Sequence, residues 1–225
     1  MNPKQRAAEA ALPFIHDGMV LGLGTGTTAD FFLLALSAAI ASHSLAGISG
    51  VPTSRQSEYR AMELGIPLTT LGKNPVIDIT VDGADEVANN LDLIKGLGGA
   101  LIREKIVAQN SRKLIIIADS SKRVDHLGSK TALPVEVVPF AHEAHEGFFR
   151  SLGGEPKLRK HAGMVFNTDN GNLIYDVKFA PIQDPADLER QLRNRAGIVG
   201  TGLFLQIART VLIADADSVT QLDRE

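Results

Sequence analysis

The chain has 225 residues, 44% of them hydrophobic and 22% charged, enough for one large domain or a domain with a smaller companion, with roughly 70% of the unfolded surface buried. Its 23 Lys+Arg against 26 Asp+Glu give a net charge of -3, which is neither the footprint of a general nucleic-acid binder nor that of a polybasic membrane segment. With no cysteine, disulfides, thiolate zinc sites, iron–sulfur clusters and cysteine nucleophiles are excluded.

The N-terminal stretch carries Lys4, Arg6 and Glu9 among alanines, and predicts an amphipathic helix over residues 3–16 that Pro13 disturbs in its second half. No apolar signal core follows this basic start. Met19–Leu23 reads as a buried strand, residues 27–42 as an apolar helix, and Ile48–Val51 as a second strand. The apolar run Phe31–Ala41 is shorter than the ~20 residues that span a bilayer. These features together predict a soluble, cytoplasmic protein. Thr53–Leu64 reads as a helix closed by Gly65, and Ile77–Val81 as a third strand. An irregular segment from Asp82 to Gly96 leads to a helix near 98–109 and then to the strongest strand, Lys113–Ala118. Strands alternating with helices predict βαβ units and a mainly parallel sheet.

The texture changes after Gly128. Strand Leu133–Val138, a helix near 139–152, a turn-rich stretch Gly153–Gly171, strand Leu173–Phe179 and helix Pro185–Arg195 predict a small two-layer α+β unit of the split βαβ kind. Strand Thr210–Ala214 has the character of core sheet again. The expected division is therefore residues 1–128 as a Rossmann-like sheet domain, 129–203 as an inserted smaller α+β domain, and 204–225 as a return to the first.

Leu21-Gly-Leu-Gly-Thr-Gly-Thr-Thr-Ala-Asp30 runs from strand to helix. Its glycines permit close backbone approach, and the helix N-terminus offers N–H groups and a positive dipole end to an anion. The hydroxyls of Thr25, Thr27 and Thr28 add donors, which favours a small phosphate; a tight strand–helix turn without a ligand is the alternative. From Gly24 the string also fits the dinucleotide pattern G-x-G-x-x-A, but no Asp or Glu lies between Asp30 and Glu58 to hold a ribose, so a nicotinamide dehydrogenase is disfavoured.

Val81-Asp-Gly-Ala-Asp-Glu86 puts Asp82 and Asp85 at the C-terminal end of a parallel strand, the edge where open α/β sheets bind ligands. These carboxylates suit sugar hydroxyls, proton transfer or a divalent metal; an exposed acidic turn is the plainer alternative. On the following helix Glu104 has Ala100 and Leu101 on one side and Val107 and Ala108 on the other, at helical neighbour positions. Its carboxylate is centred on an apolar stripe, and burial there raises a carboxyl pKa toward the range of a general base. A structural pair with Arg103 or Lys105 is the alternative. Ile102 and Ile106 form a second stripe, which predicts burial on two faces. Lys122 follows the Lys113–Ala118 strand and suits a phosphate as a flexible point charge; a solvated loop lysine is the plainer alternative. His142-Glu-Ala-His-Glu146 spaces its histidines by three rather than the four of a zinc protease, and reads as a solvated helix face.

Taken in order, Gly24-Thr-Gly-Thr-Thr28, Pro52-Thr-Ser54, Val81-Asp-Gly-Ala-Asp-Glu86, Lys95-Gly-Leu-Gly-Gly-Ala-Leu-Ile-Arg-Glu-Lys105, Asp119-Ser-Ser-Lys122, Leu133-Pro-Val-Glu-Val137 and Thr168-Asp-Asn-Gly-Asn172 resemble the type A ribose-5-phosphate isomerases. The resemblance implies interconversion of D-ribose 5-phosphate and D-ribulose 5-phosphate in the pentose phosphate pathway, without metal or organic cofactor. It also implies a Rossmann-like domain with a smaller α+β domain, assembled as a homodimer or homotetramer. By the same match Glu104 is the base, Asp82 and Asp85 handle ring opening and hydroxyl protons, and Lys95 stabilises charge developing on oxygen. Thr25, Gly26, Thr27, Thr28, Asp82, Gly83, Ala84, Asp85, Lys95, Gly96, Leu97, Gly98 and Lys122 are the expected substrate contacts. Lys4 stays outside this set because the N-terminal segment matches loosely. Leu97 stands within what is commonly a run of glycines, where a leucine disfavours positive φ. A sugar-phosphate sensor is the rival reading; the stretch before Met19 is too short for a helix-turn-helix, and retention of base, aspartates and lysine favours an enzyme.

Overall fold

A computed structural model describes residues 2–224. In chain order the elements begin with α1 (Pro3–Glu9), β1 (Val20–Leu23), α2 (Thr27–Ala41), β2 (Ser49–Pro52), α3 (Arg55–Glu63) and β3 (Ile77–Asp82). They continue with β4 (Glu86–Ala88), β5 (Leu93–Ile94), α4 (Leu101–Gln109), β6 (Ser111–Asp119), β7 (Arg123–Val124), β8 (Leu133–Val137) and α5 (Ala144–Ser151). The last are β9 (Glu155–Leu158), β10 (Lys160–His161), β11 (Met164–Val165), β12 (Leu173–Lys178), α6 (Pro185–Arg193), β13 (Ile198–Thr201), β14 (Leu203–Phe204), β15 (Thr210–Ala214) and β16 (Val219–Asp223). Helix α1 ends earlier than its periodicity predicts, and a separate 3₁₀ turn carries Pro13 at Leu12–Phe14. Proline cannot supply the N–H that a continued α-helix needs.

The chain divides into two compact units. One comprises the residues up to Ala84, Arg103–Lys122 and those from Gln206 onward; the other comprises Asp85–Ile102 and Arg123–Leu205. The break expected at 128/129 falls instead near Lys122, and Asp85–Ile102 goes with the second unit. The reason is pairing: β4 and β5 join β7 and β14 in one sheet of order β14-β5-β4-β7. The segment expected to be irregular thus supplies two short strands.

The first unit is a six-stranded sheet of order β16-β15-β6-β3-β1-β2, parallel except for the antiparallel edge strand β16. Alternation along the strands makes one face of Leu21, Leu23, Ile79, Val81, Ile115, Ile117, Leu212 and Ala214, all in a core with Ala7, Ala8 and Phe32. The opposite face receives α4: a Cβ on Gly22 would lie 2.7 Å from Val107 Cγ1 and 1.8 Å from Thr80 Oγ1. Only glycine lets that helix approach so closely.

In the second unit a four-stranded antiparallel sheet, β13-β8-β12-β9, carries α5 and α6. Val135, Val137, Tyr175 and Val177 share one buried cluster with Phe149, Leu188 and Leu192. Strand β9 and the β10–β11 hairpin lie in the turn-rich stretch Gly153–Gly171. Asp184 caps α6 through the Asp187 N–H at 2.9 Å, with Pro185 in the first turn.

Candidate active site

In the first unit strand order reverses at β1, which lies between β2 and β3. A crevice at the C-terminal ends of the strands is the usual ligand position at such a switch. The glycine loop leaves β1 here. Gly24 N–H donates to Val81 O at 3.1 Å, and a Cβ on Gly24 would meet Asp82 Oδ1 at 2.4 Å. Gly26 takes φ +102° at the N-cap of α2, a conformation L side chains avoid.

Asp82 is 1% exposed, and its Oδ1 accepts the N–H groups of Thr25 at 3.1 Å and Gly83 at 2.8 Å. Thr25 is therefore occupied internally. Its buried hydroxyl lies 2.7 Å from Thr53 Oγ1 and donates to Ser54 Oγ at 2.8 Å. Gly26 and Thr27 are exposed and Thr28 is half-buried, so they form the accessible part of the loop. Lys4, outside the expected set, donates from Nζ to Thr27 Oγ1 at 3.1 Å. A cavity of 740 Å³ is lined by Lys4, Gly24, Gly26, Thr27, Asp30 and Arg60, among others. Only the packing of α1 brings Lys4 here; its local sequence gives no such signal.

Glu104 lies in the first turn of α4 and is 4% exposed. Leu101, Val107 and Ala108 are buried on the same stripe. The second stripe does not behave as its composition predicts: Ile102 is half-buried and Ile106 is 45% exposed, so the helix hides one face only. Lys122 is half-buried in a 3₁₀ turn after β6, whose Asp119 Oδ1 accepts the Ser121 N–H at 3.0 Å. Strands β1, β3 and β6 are adjacent, so the glycine loop, Asp82 and Lys122 follow neighbouring strand ends.

The second unit holds the other expected residues. Antiparallel pairing of β4 with β5 sets Asp85 beside the end of β5: its N–H donates to Ile94 O at 2.8 Å, and its Oδ2 accepts the Leu97 N–H at 3.0 Å. Lys95 is buried, with Nζ 5.5 Å from the Phe204 ring centroid. Positive φ occurs at Gly96 (+103°) and Gly99 (+85°), while Leu97 does not take it. The leucine therefore meets no backbone strain. Sequence reasoning gave no role to Glu86, which is fully buried. Its carboxylate accepts N–H bonds from Gly128 at 2.6 Å, Lys130 at 2.7 Å and Thr131 at 2.6 Å, anchoring β4 directly after Asp85.

The His142–Glu146 segment is not a solvated face. His145 is buried, and its Nδ1 accepts from Arg195 Nε at 3.1 Å. Burial, then the charges of Arg195 and His142, hold its pKa below the ordinary value. His142 Nδ1 lies 2.9 Å from the buried Tyr175 hydroxyl. That hydroxyl is pushed up to about 12, first by burial and then by Glu146. The segment serves packing of the small sheet.

Comparison with known proteins shows the family. Residues 49–218 match the family model of ribose 5-phosphate isomerase A (phosphoriboisomerase A). The ribose-5-phosphate isomerase A of Roseiflexus castenholzii is 48% identical over 221 residues, covering 98% of this chain and 94% of its own. A D-ribose-5-phosphate isomerase solved in complex with phospho-erythronic acid superposes with a TM-score of 0.96 at 40% identity, covering 100% of both chains. The Plasmodium falciparum ribose 5-phosphate isomerase gives 0.95 at 40% identity, over 99% of this chain and 98% of that one. With the strand-end loops, the buried glutamate and near end-to-end similarity in agreement, this chain belongs to the ribose 5-phosphate isomerase A family.

Proposed function

We propose that the chain interconverts D-ribose 5-phosphate and D-ribulose 5-phosphate, with Glu104 moving a proton between C2 and C1. The observation that carries this reading is the burial of that carboxylate in the first turn of α4. Shielded from water, it is suited to general-base work on a weakly acidic C–H. Removal of the C2 proton of the open-chain aldose gives an enediolate, and return of the proton to C1 gives the ketose. Asp82 and Asp85 serve ring opening and the transfer of hydroxyl protons. Lys95 offsets the negative charge that develops on oxygen.

The exposed Gly26 and Thr27 and the half-buried Thr28, at the N-terminus of α2, together with Lys122 and Lys4, hold the phosphate end. Thr25 acts by fixing the loop, since its hydroxyl is already bonded. Gly83, Ala84 and the Gly96–Gly98 backbone complete the substrate contacts. A neighbour at 40% identity was solved with phospho-erythronic acid, a phosphorylated acid, which supports an anionic sugar-phosphate ligand here.

The reaction is a proton relocation, so the reading includes no metal or organic cofactor. It places the enzyme in the cytoplasm, in the pentose phosphate pathway, as a homodimer or homotetramer. The test is incubation of the protein with ribose 5-phosphate, before and after chelator treatment. Ketose formed at the same rate in both supports the reading; no ketose from folded protein overturns it. Light scattering on an eluting peak reads the subunit number.

A further inference from the structure

The loop after β5 has an unassigned partner within the second unit. Arg159 lies just past the end of β9, and its backbone N–H donates to Ile174 O at 2.8 Å. Its side chain is only 10% exposed. The guanidinium donates from Nη1 to Gly96 O at 2.9 Å and to Leu97 O at 3.1 Å. Its other edge makes a two-pronged pair with Asp176 on β12, Nε to Oδ2 at 2.9 Å and Nη2 to Oδ1. The Phe166 ring lies 5.8 Å from Arg159 Cζ and fills the space where a Cβ on Gly99 would stand, 2.4 Å from Phe166 Cζ.

We infer that Arg159 is a positioning residue for the isomerase reaction, acting through the backbone of the Lys95–Gly99 loop. The argument rests on peptide geometry. In a trans peptide the C=O and the following N–H point in opposite directions. With Gly96 O turned to Arg159, the Leu97 N–H points away from it, and it does so onto Asp85 Oδ2 at 3.0 Å. With Leu97 O on the same cation, the Gly98 N–H is also directed away from Arg159. One guanidinium therefore orients two consecutive amides next to Lys95. Asp176 fixes the plane of the guanidinium, as the fork geometry of arginine and carboxylate allows. A lysine offers a point charge and cannot hold Asp176 with two prongs while bridging two carbonyls.

This inference rests on the isomerase reading, so turnover of ribose 5-phosphate by the wild type is measured first; its absence from folded protein sinks that reading and this inference with it, whereas the variants below test this inference alone. With an active wild type, Arg159→Ala is expected to lower kcat by on the order of 10–100-fold, the scale of a small misplacement of reacting groups, with a smaller change in KM. Far-ultraviolet circular dichroism should stay that of wild type. Added guanidinium at millimolar concentration should restore part of the rate, and Arg159→Lys should be intermediate. Asp176→Asn should shift kcat in the same direction by less, which keeps the idea testable if Arg159→Ala fails to fold. Wild-type kcat in folded Arg159→Ala, or in Asp176→Asn when the alanine variant does not fold, overturns the inference. A kcat loss that guanidinium does not relieve and Arg159→Lys does not moderate also overturns it.

Discussion

Glu104 owes its proposed chemistry to burial: on a helix stripe with buried Leu101, Val107 and Ala108 it is 4% exposed, whereas a glutamate ordinarily sits in water. Glu104→Gln keeps the shape and removes the base. Its kcat should fall by about 10²–10⁴-fold, the usual worth of a general base, while sugar phosphate still binds. Near-normal turnover in steady-state assays would reject this role. In the proposed function Lys122 and Lys4 act differently, as charges on flexible stems. Lys122→Ala should raise KM more than it lowers kcat, and Lys4→Ala should do the same through its contact with Thr27. Equal falls in kcat and kcat/KM for either variant would mean that the lysine acts in the transition state.

At the scale of elements, the geometry near the glycine loop depends on backbones touching where side chains would collide. Strand β1 passes so close to the end of β3 that a Cβ on Gly24 would fall 2.6 Å from Asp82 Cα as well as meeting its carboxylate. Gly24→Ala should therefore destabilise the fold by about 1–3 kcal/mol, the usual range for overpacking. It should also cut kcat, because Asp82 must move. A melting temperature and rate equal to wild type would show that the loop yields without cost. The neighbouring start of α3 is secured by Ser54 and Ser57, which cap each other's backbone N–H groups at 2.9 and 3.0 Å. Ser54 also receives the Thr25 hydroxyl, so a helix cap and the glycine loop share one polar cluster.

Stability of the whole molecule should depend on pH through the small sheet unit. Buried His145 accepts a hydrogen bond from Arg195, and burial holds its pKa below the ordinary histidine value. A folded pKa below the unfolded one means that the unfolded chain takes up the proton first as pH falls. The stability contributed by neutral His145 is complete above about pH 6.5 and declines as pH drops toward the lower folded pKa. Melting temperature should fall between pH 7.5 and 5.5, and His145→Gln should flatten that slope. An unchanged slope by calorimetry would remove His145 as the cause. His145 thus acts on folding, in a segment whose spacing alone suggested a solvated face.

The parallel core and most of the proposed site were legible along the chain. Strands such as Lys113–Ala118 and Thr210–Ala214 are largely apolar runs, and Gly24–Thr28, Asp82–Asp85 and Lys95–Glu104 are compact motifs that carry the family resemblance and, through it, their proposed roles. Tertiary structure decided what depends on remote partners. Strands β4, β5, β7 and β14 are two or three residues long, too short for a periodic signal, and exist because they pair with one another. The same pairing draws Asp85–Ile102 into the second unit. Thr25 faces Thr53 and Ser54, Lys4 reaches Thr27, and Arg159 holds carbonyls more than sixty positions earlier in the chain. Local propensity is a property of neighbours along the chain. These contacts are instead fixed by hydrogen-bonding groups that meet only once the sheets have formed.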